Sequence, residues 1–434
     1  MMEIDIKALR IEGIYQQNDA GQLMMRVKLA GGLLSVPQAA ALARLGQQYG
    51  SGAFHLTTRG SLEFHTLEAD QIGPIQRSMA AVGLFSRGAC GGAVRGISCS
   101  SSFGRGFNHS QVLARQLLFH FSGNPHFEGL PKKFKIAVEA DYTGSRHLIQ
   151  DLAFVYVGLE EGRALYDVWT GGGLGREPQA AILYQQRVAE SELLPLTESI
   201  LRIYRDNVQP PKRLKSLLRS RGEAEFRRML AAELSKAAPV QFRNGFDKAL
   251  LPLPAENAEL KLLVPVFAGE LPAERLGIIA AAAAAVGLDY LVVTTNQDLA
   301  LLPADPATRQ RLLDALQQAG ITGLDQPPQQ LRVCPGNHGC CMGLAATRDL
   351  ATQLQQAFGT RLNARSLAIS GCANSCAQPQ LAELGIVTGK SVRDEDGHRT
   401  PRFNLYRRSG EGLGERIAEQ LTQEELQAAL EPLL

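Results

Sequence analysis

The sequence of 434 residues has little net charge, and it lacks a long uninterrupted hydrophobic run. Its 45 Lys and Arg residues nearly balance its 43 Asp and Glu residues, which leaves a formal net charge of +2. So weak a charge gives no support to a nucleic-acid partner. The longest apolar run, 276–288, is too short to span a bilayer, which takes about 20 residues of helix. The sequence therefore predicts a globular protein without membrane insertion.

A secretion signal is also missing, because charged residues are scattered through the N-terminal stretch MMEIDIKALRIEG. Cysteine is scarce and confined to two places: Cys90 and Cys99, then a group of five that begins at Cys334. Five cysteines so close together indicate cofactor ligation in a reducing compartment rather than a disulfide framework. We therefore expect a cytoplasmic location. The chain is too long for one ordinary core and predicts two to four modules.

Two pairs of cysteines stand in glycine-rich sequence in the last quarter of the chain. The first pair, Cys334 and Cys340, has the spacing Cys-x5-Cys, and the second pair, Cys372 and Cys376, has the spacing Cys-x3-Cys. Four thiolates in two tight pairs suit either an iron–sulfur cluster or a tetrahedral zinc ion. Structural zinc sites favour shorter gaps than that of the first pair, which mildly favours the cluster. Asn374 could donate hydrogen bonds to the sulfides of such a cluster.

An internal repeat relates two parts of the chain at a constant offset of 237. Positions 24–64 and 261–301 share an apolar strand pattern, a glycine turn, a helix pattern, a second strand and then Thr-Thr. The turn glycine is Gly32 in one copy and Gly269 in the other. This pattern is a β-α-β unit, so each half is expected to carry a ferredoxin-like module.

A second correspondence, at an offset of 232, places positions 135–158 over positions 367–390. Ala140 then stands opposite Cys372, and Gly144 stands opposite Cys376. The same element therefore carries thiolates in one half and none in the other. We interpret the chain as a duplication in which one copy kept the metal.

The first half has basic residues at the ends of predicted turns and strands. Each of them taken alone reads as a surface cation. Lys133 and Lys135 alternate along a predicted strand, so their side chains should share one face. Beside glycines and apolar strands, the set suggests a pocket for carboxylates or a small oxyanion. Its members are Arg26, Arg59, Arg95, Lys133 and Lys135.

Two further stretches are less specific. The cluster WTGGGLGREP at 169–178 is a poor match to a phosphate-binding loop, since it lacks Gly-Lys-Ser/Thr and a full Gly-x-Gly-x-x-Gly. The stretch 190–245 is charged and helical in pattern, and it is expected to join the two halves. Its basic run is interpreted as a solvated helix face.

Taken together, these motifs resemble the siroheme-dependent sulfite and nitrite reductase family. The resemblance rests on LAGG, TTRGSLEFH, ACGGAVRGISC, LPKKFKIAV, the GGGLG loop, Cys-x5-Cys and Gly-Cys-Ala-Asn-Ser-Cys, which follow the family's order from about position 20 to position 390. The family is itself a pseudo-twofold duplication, which fits the two repeats. The resemblance implies a siroheme and a [4Fe-4S] cluster as cofactors.

The resemblance also implies a role for each site residue. The expected cluster ligands are Cys334, Cys340, Cys372 and Cys376, and the sulfur of Cys376 would also bridge to the siroheme iron. The residues expected to bind the substrate oxyanion on the distal side of siroheme are Arg26, Arg95, Lys133 and Lys135. The residues expected to contact siroheme itself are Arg59, Glu63, Gly172, Gly173 and Asn374.

Two positions depart from the family pattern. Glu63 stands where many members have glutamine, and His55 stands where many have arginine. The chain also has no ferredoxin-type Cys-x2-Cys-x2-Cys insert, so electrons are expected to come from a separate donor protein, a ferredoxin or a flavoprotein.

The expected fold is α+β (mixed α/β), a pseudo-twofold duplicated chain. It should contain two ferredoxin-like half modules and two siroheme/[4Fe-4S]-binding α/β modules. The expected domains are a first ferredoxin-like half module at 1–80, a first siroheme-pocket module with its helical connector at 81–245, a second ferredoxin-like half module at 246–325, and a cluster/siroheme module at 326–434.

Six-electron reduction of sulfite to sulfide is the favoured activity, since the Lys133-x-Lys135 pair resembles sulfite reductases. Plant-type nitrite reductases tend to have Asn at the second place, and nitrite reduction to ammonia is the alternative. A cobalamin-pathway monooxygenase has the cluster without siroheme, and a plain electron carrier would not need a cationic pocket. Both of these remain less favoured alternatives.

Overall fold

The computed structural model describes residues 6–100, 102–236, 240–242, 258–324, 329–393, 397 and 399–434. Its strands are β1 (Ile14–Gln16), β2 (Leu23–Val27), β3 (Leu33–Ser35), β4 (Ala53–Leu56), β5 (Leu62–Leu67), β6 (Ser98–Cys99), β7 (Ile136–Glu139), β8 (Leu152–Glu160), β9 (Arg163–Thr170), β10 (Ile182–Ala189), β11 (Leu262–Val264), β12 (Glu270–Pro272), β13 (Tyr290–Val293), β14 (Leu299–Leu301), β15 (Leu331–Val333), β16 (Leu367–Ser370), β17 (Leu384–Arg393), β18 (Arg399–Arg407) and β19 (Glu415–Leu421). Its α-helices are α1 (Ile6–Leu9), α2 (Val36–Gln48), α3 (Ile72–Ala80), α4 (Phe107–Phe121), α5 (Glu190–Asn207), α6 (Leu214–Arg221), α7 (Glu223–Leu234), α8 (Ala273–Ala285), α9 (Pro306–Gln318), α10 (Gly336–Gly339), α11 (Thr347–Phe358) and α12 (Gln423–Leu430).

Two small sheets form the ferredoxin-like part, and each takes one strand from the other half of the chain. Their strand orders are β1-β2-β5-β4-β12 and β11-β14-β13-β3. Ser35 of β3 pairs with Tyr290 of β13, and Pro272 of β12 pairs with Ala53 of β4. The offset of 237 converts the first pair into the second, so the exchange is symmetric. The predicted duplication is confirmed in the strand pairing itself.

A single apolar core joins the two ferredoxin-like halves. Helices α2 and α8 pack against each other, and the core draws buried side chains from both, including Leu42, Leu45, Leu276 and Ile279. Helix α2 starts as its sequence dictates, because the Ser35 hydroxyl accepts from the Gln38 amide and the Gln38 side chain accepts from the Ser35 amide. The described parts of the two predicted half modules thus share one interior.

Equivalent glycines precede the two exchanged strands. Gly32 has φ +78°, and a Cβ there would lie 2.2 Å from the Val293 carbonyl oxygen. Gly269 has φ +70°, and a Cβ there would lie 2.9 Å from the Leu56 carbonyl oxygen. Both the left-handed backbone and the close approach of a partner strand therefore demand glycine.

Two five-stranded sheets carry the rest of the fold, and they have the same topology. Their orders are β6-β7-β8-β9-β10 and β15-β16-β17-β18-β19. In each, the first three strands are parallel and the last two are antiparallel additions. Leu152 begins β8 and Leu384 begins β17, and the offset of 232 relates these two positions, as the second repeat predicts. The α+β fold with pseudo-twofold duplication is confirmed.

The connector between the halves contains helices α5, α6 and α7, which pack on the first of these sheets. The interpretation of its basic run as a solvated face is wrong for Arg213 and Lys215, which are buried, and holds for Arg219 and Arg221, which are exposed. The predicted domain boundaries at 245/246 and 325/326 fall outside the described residues, so that division stays a prediction. Among the described residues, no helix is both long and apolar enough to cross a membrane.

Candidate active site

The cysteine pairs lie where the second five-stranded sheet ends. Cys334 follows β15 and Cys372 follows β16, and these strands are parallel neighbours, so their carboxyl ends meet at one edge. The Gly371 amide donates to the Cys334 sulfur at 3.1 Å, which joins the two turns. The loop after Cys340 is tied to the same turn, because the Leu344 amide donates to the Gly371 carbonyl at 2.8 Å.

Burial and mutual repulsion favour the protonated form of these thiols. Burial raises the pKa of Cys334 and of Cys340 to about 12, and the other site cysteines contribute to both shifts. Burial also raises the pKa of Cys372, with Cys376 adding to the effect, while Asn374 hydrogen-bonds the Cys372 sulfur and opposes the rise. Cys372 and Cys376 therefore lie within electrostatic reach of both Cys334 and Cys340, in a place where thiolates need cationic iron to persist.

This donor set fits a [4Fe-4S] cluster better than a single ion. In the part of the chain that the structure describes, no group of three or more His, Cys, Asp or Glu side chains is arranged to hold one metal ion. A [4Fe-4S] cluster is bound by four cysteines spread around the cluster, so its ligands need not converge on one point. Cys376 is exposed, whereas Cys334 is buried. The sulfur of Cys376 is thus the one most open to a second group.

A turn from the first half is bonded directly to the Cys376 turn. The Thr58 hydroxyl donates to the Cys376 carbonyl at 2.8 Å, and the Gln378 side chain donates to the Thr58 carbonyl at 3.1 Å. Arg59, the next residue, donates to the Gln150 side chain at 2.7 Å and to two main-chain carbonyls. Burial chiefly, with help from nearby Arg95, lowers the pKa of Arg59 to about 9. Among the described residues, no carboxylate forms an ion pair with Arg59, so this cation suits an anionic ligand.

Two guanidinium groups lie side by side next to this turn. Arg26 and Arg95 both donate to the Ala89 carbonyl oxygen, Arg26 at 3.1 Å. Arg95 also reaches the Tyr15 hydroxyl at 3.4 Å. The structure therefore brings together two basic residues that are far apart in the sequence.

Lys133 and Lys135 complete the basic group from the segment that leads into β7. Phe134 between them is fully buried in the core, so both lysines point the other way. Burial lowers the pKa of Lys133 to about 8, with Arg95 and Arg213 contributing, while Cys376 opposes the shift. Burial and the neighbouring cations also hold the pKa of Lys135 well below its usual value. Both lysines thus lie within electrostatic reach of Cys376. Arg26, Arg95, Lys133 and Lys135 are called the anion pocket below.

Glu63 is the acidic member of this site. It pairs with Arg26 across strands β5 and β2, with Arg26 Nε donating to its carboxylate at 2.8 Å. Burial disfavours the charged form, but the attraction of Arg26, with His65 nearby, outweighs it and holds the pKa of Glu63 well below its usual range. The carboxylate is engaged with Arg26, so its predicted contact with siroheme stays a prediction.

The glycine loop is supported by two residues that sequence reasoning missed. Lys215 Nζ donates to the carbonyl oxygens of Gly173 at 3.2 Å and Leu174 at 3.1 Å. Arg213 pairs with Asp151 at 2.7 Å, and a Cβ on Gly173 would lie 2.6 Å from its Nη1. The alternation Arg213-x-Lys215 repeats the Lys133-x-Lys135 pattern, and it is the signal that could have identified them.

Comparisons with known proteins identify two family models that match parts of this chain. The family model described as the nitrite/sulfite reductase ferredoxin-like half domain matches residues 15–82, and the nitrite and sulphite reductase 4Fe-4S domain matches residues 104–238. The second match lies on the copy without the four cysteines.

Proteins named as sulfite reductases and as nitrite reductases are both similar to this chain over most of their length. The chain is 26% identical to a sulfite reductase [ferredoxin] of Mycobacterium tuberculosis, covering 89% of this chain and 73% of the relative. It is 29% identical to a ferredoxin–nitrite reductase of Synechococcus elongatus, covering 95% and 86%. It is 26% identical to a sulfite reductase [NADPH] hemoprotein beta-component of Acidithiobacillus ferrooxidans, covering 100% and 87%.

A solved structure supports the fold over the whole chain. The Mycobacterium tuberculosis NirA protein superposes with a TM-score of 0.82 at 24% identity, covering 99% of this chain and 86% of that one. With the two family models and the relatives above, the duplicated fold and the paired cysteines lead to one conclusion. The chain is similar to the nitrite and sulfite reductase family over most of its length, and it is an oxidoreductase that uses siroheme and a [4Fe-4S] cluster.

Proposed function

We propose that this protein catalyses the six-electron reduction of sulfite to sulfide. The observation that carries the proposal is the anion pocket, in which four cationic side chains from three segments lie near one another and the two lysines are within electrostatic reach of Cys376. A pocket partly screened from water compensates the two charges of sulfite more effectively than bulk solvent does. Siroheme and the cluster would supply the electrons when bound.

The proposed holders of the cofactors follow from the contacts above. Cys334, Cys340, Cys372 and Cys376 would bind the cluster, with the exposed sulfur of Cys376 also available to the siroheme iron. The carboxylates of siroheme would be bound by Arg59, with Gly172, Gly173 and Asn374 as further proposed contacts. The amides of Gly172 and Gly173 themselves donate to the carbonyl oxygens of Gln150 and Gln179, so these glycines would serve by close approach of their backbone. Cationic and amide donors suit a ligand that carries many carboxylates.

The lysines of the anion pocket have a second proposed task, which is the supply of protons. Because the ammonium form of Lys135 is disfavoured by burial, an anion that binds beside it draws a proton onto it. Lys133 behaves similarly, with its pKa at about 8. Each oxygen of the substrate must leave as water, so donors held beside the anion assist the reaction as general acids.

The electron donor is proposed to be a separate protein, a ferredoxin or a flavoprotein. The names of the relatives point to both kinds, since two are named for ferredoxin and one for NADPH. We also propose the cytoplasm as the location, on the distribution of cysteines in the sequence.

Nitrite reduction is the second candidate, and one observation favours it. Glu63 compensates the charge of Arg26, so the pocket carries less positive charge than its four cations suggest. A less positive pocket suits a monoanion such as nitrite better than a fully uncompensated pocket would.

Replacing Lys135 with Asn tests the proposal. Losing a charge-assisted contact costs roughly 1.5–3 kcal/mol, about one to two decades in the specificity constant. We expect that loss for sulfite and a smaller loss for nitrite, measured as kcat/KM for both anions with one artificial electron donor. Equal losses, or a wild type that prefers nitrite outright, would replace the sulfite assignment with the nitrite one.

A further inference from the structure

Four neighbouring strands carry a row of polar side chains that begins at the anion pocket. Arg26 on β2 lies opposite Glu63 on β5, and Glu63 lies opposite His55 on β4. His55 in turn lies opposite Glu270 on the exchanged strand β12. We call these four residues the polar row. Charged and titratable groups in a half-buried sheet are costly, so their presence calls for a reason.

The second ferredoxin-like half shows which side chains occupy the equivalent positions where there is no anion pocket. The offset of 237 relates Arg26, Glu63 and His55 to Leu263, Ala300 and Val292. It likewise relates Glu270 to Leu33, which lies on the strand that the first half contributes. These four residues pair across neighbouring strands in the same way and form an apolar row. This apolar row is packed under Phe103 and Phe107 in a small core. The fold therefore tolerates apolar side chains at every one of these positions. The sheet itself therefore does not require the polar row.

Within the polar row, Glu63 is bound by Arg26 and has His65 as a close neighbour. Arg26 Nη2 lies 2.5 Å from its Oε1, and His65 Nε2 lies 3.4 Å from its Oε2. Only 4% of Glu63 is exposed, so solvent screens this pairing weakly. His65 is itself positioned by Gln17, whose side-chain oxygen lies 3.3 Å from His65 Nδ1.

We propose that Glu63 is a positioning residue that sets the charge of the anion pocket and so determines how strongly a dianion is preferred over a monoanion. The inference rests on the anion pocket of the proposed function, and it deepens that proposal by assigning the choice between sulfite and nitrite to one carboxylate. Glu63 orients Arg26 through its two contacts and cancels one positive charge next to the bound anion.

The charge argument gives a quantitative expectation. A dianion feels twice the electrostatic energy of a monoanion at the same place. Replacing Glu63 by the isosteric but neutral Gln should lower the dissociation constant of nitrite by some factor. The dissociation constant of sulfite should then fall by about the square of that factor. For a charge a few ångströms away, we expect the dissociation constant to fall roughly threefold for nitrite and roughly tenfold for sulfite. A change in shape alone has no reason to follow this square relation.

The experiment is an absorption titration of the purified holoenzyme with sulfite and with nitrite, at a pH where sulfite is the dianion. Wild type, Glu63→Gln and Glu63→Asp are compared. Glu63→Gln should shift the ratio of the two dissociation constants toward sulfite by roughly threefold. Glu63→Asp keeps the charge and should leave the ratio near that of the wild type.

Two further variants separate charge from structure. The double variant Arg26→Gln with Glu63→Gln removes both charges, so its ratio should return toward the wild-type value. Glu198→Gln is a matched control, since Glu198 is a buried carboxylate paired with His120 at 2.8 Å in a helix outside the pocket. It should lower the melting temperature without moving the ratio.

The outcomes distinguish this inference from the proposed function. If Glu63→Gln leaves both dissociation constants unchanged, or changes both by the same factor, the role of Glu63 is overturned even if the wild type reduces sulfite. A shifted ratio in an enzyme that binds sulfite without reducing it supports the role of Glu63 and overturns the proposed function. If neither anion binds the wild type, both fail.

Discussion

At the scale of single residues, the two cysteine pairs predict which thiols are ligands. Cys372 lies within electrostatic reach of Cys334, Cys340 and Cys376, whereas Cys341 stands outside the two pairs. Replacing Cys372 with Ser should remove the cluster, since a hydroxyl is a poor substitute for thiolate at iron. Iron and labile sulfide measured on the purified protein check this, and Cys341→Ser should keep both. Full labile sulfide in Cys372→Ser would refute the ligand assignment.

The lysines of the anion pocket predict a pH dependence with a definite sign. Because burial lowers the pKa of Lys133 to about 8, its ammonium form is present below that pH and lost above it. The specificity constant for sulfite should therefore fall as the pH rises through about 8. In Lys133→Arg the guanidinium stays charged, so the fall should disappear from this range. A fall at the same pH in both proteins would assign it to another group.

At the scale of elements, the start of α6 is fastened to the glycine loop by charge. Asp151 is fully buried, and Arg213 is its ionic partner at 2.7 Å. Replacing Arg213 with Gln leaves a buried carboxylate without its partner, which should lower the free energy of unfolding by about 3–5 kcal/mol. Urea unfolding followed by circular dichroism measures this.

Arg219 provides the matched control on the same helix. It is exposed and pairs with exposed Glu177, so Arg219→Gln should change the free energy of unfolding by less than about 1 kcal/mol. Equal losses in the two variants would mean that the buried pair does not hold α6 to the loop.

At the scale of the whole molecule, the exchanged strands make the two ferredoxin-like halves interdependent. Without the second half, β4 would lose its neighbour β12, and α2 would lose its packing against α8. A fragment of residues 6–100 should therefore lack a cooperative thermal transition by circular dichroism, whereas the full chain shows one. A fragment that unfolds cooperatively would show that each half has a core of its own.

The sequence by itself determined the local elements, the duplication and the chemistry of the cofactors. The constant offset of 237 predicted matching strands and helices because hydrophobic period and turn residues act over short stretches of chain. The paired cysteines could be read as cluster ligands because their spacing is a local property. The family followed from seven motifs in order.

Only the tertiary structure decided which of these elements meet. Strand exchange between the halves, the compensation of Arg26 by Glu63 and the burial of Arg213 and Lys215 all depend on contacts between distant segments. The sequence of a basic helix is the same whether the helix face is exposed to water or packs against a glycine loop, so burial cannot be inferred from it. Four cations read from the sequence alone suggest a site for a dianion. The net charge of the pocket, however, depends on the carboxylate of Glu63 that the fold places beside Arg26.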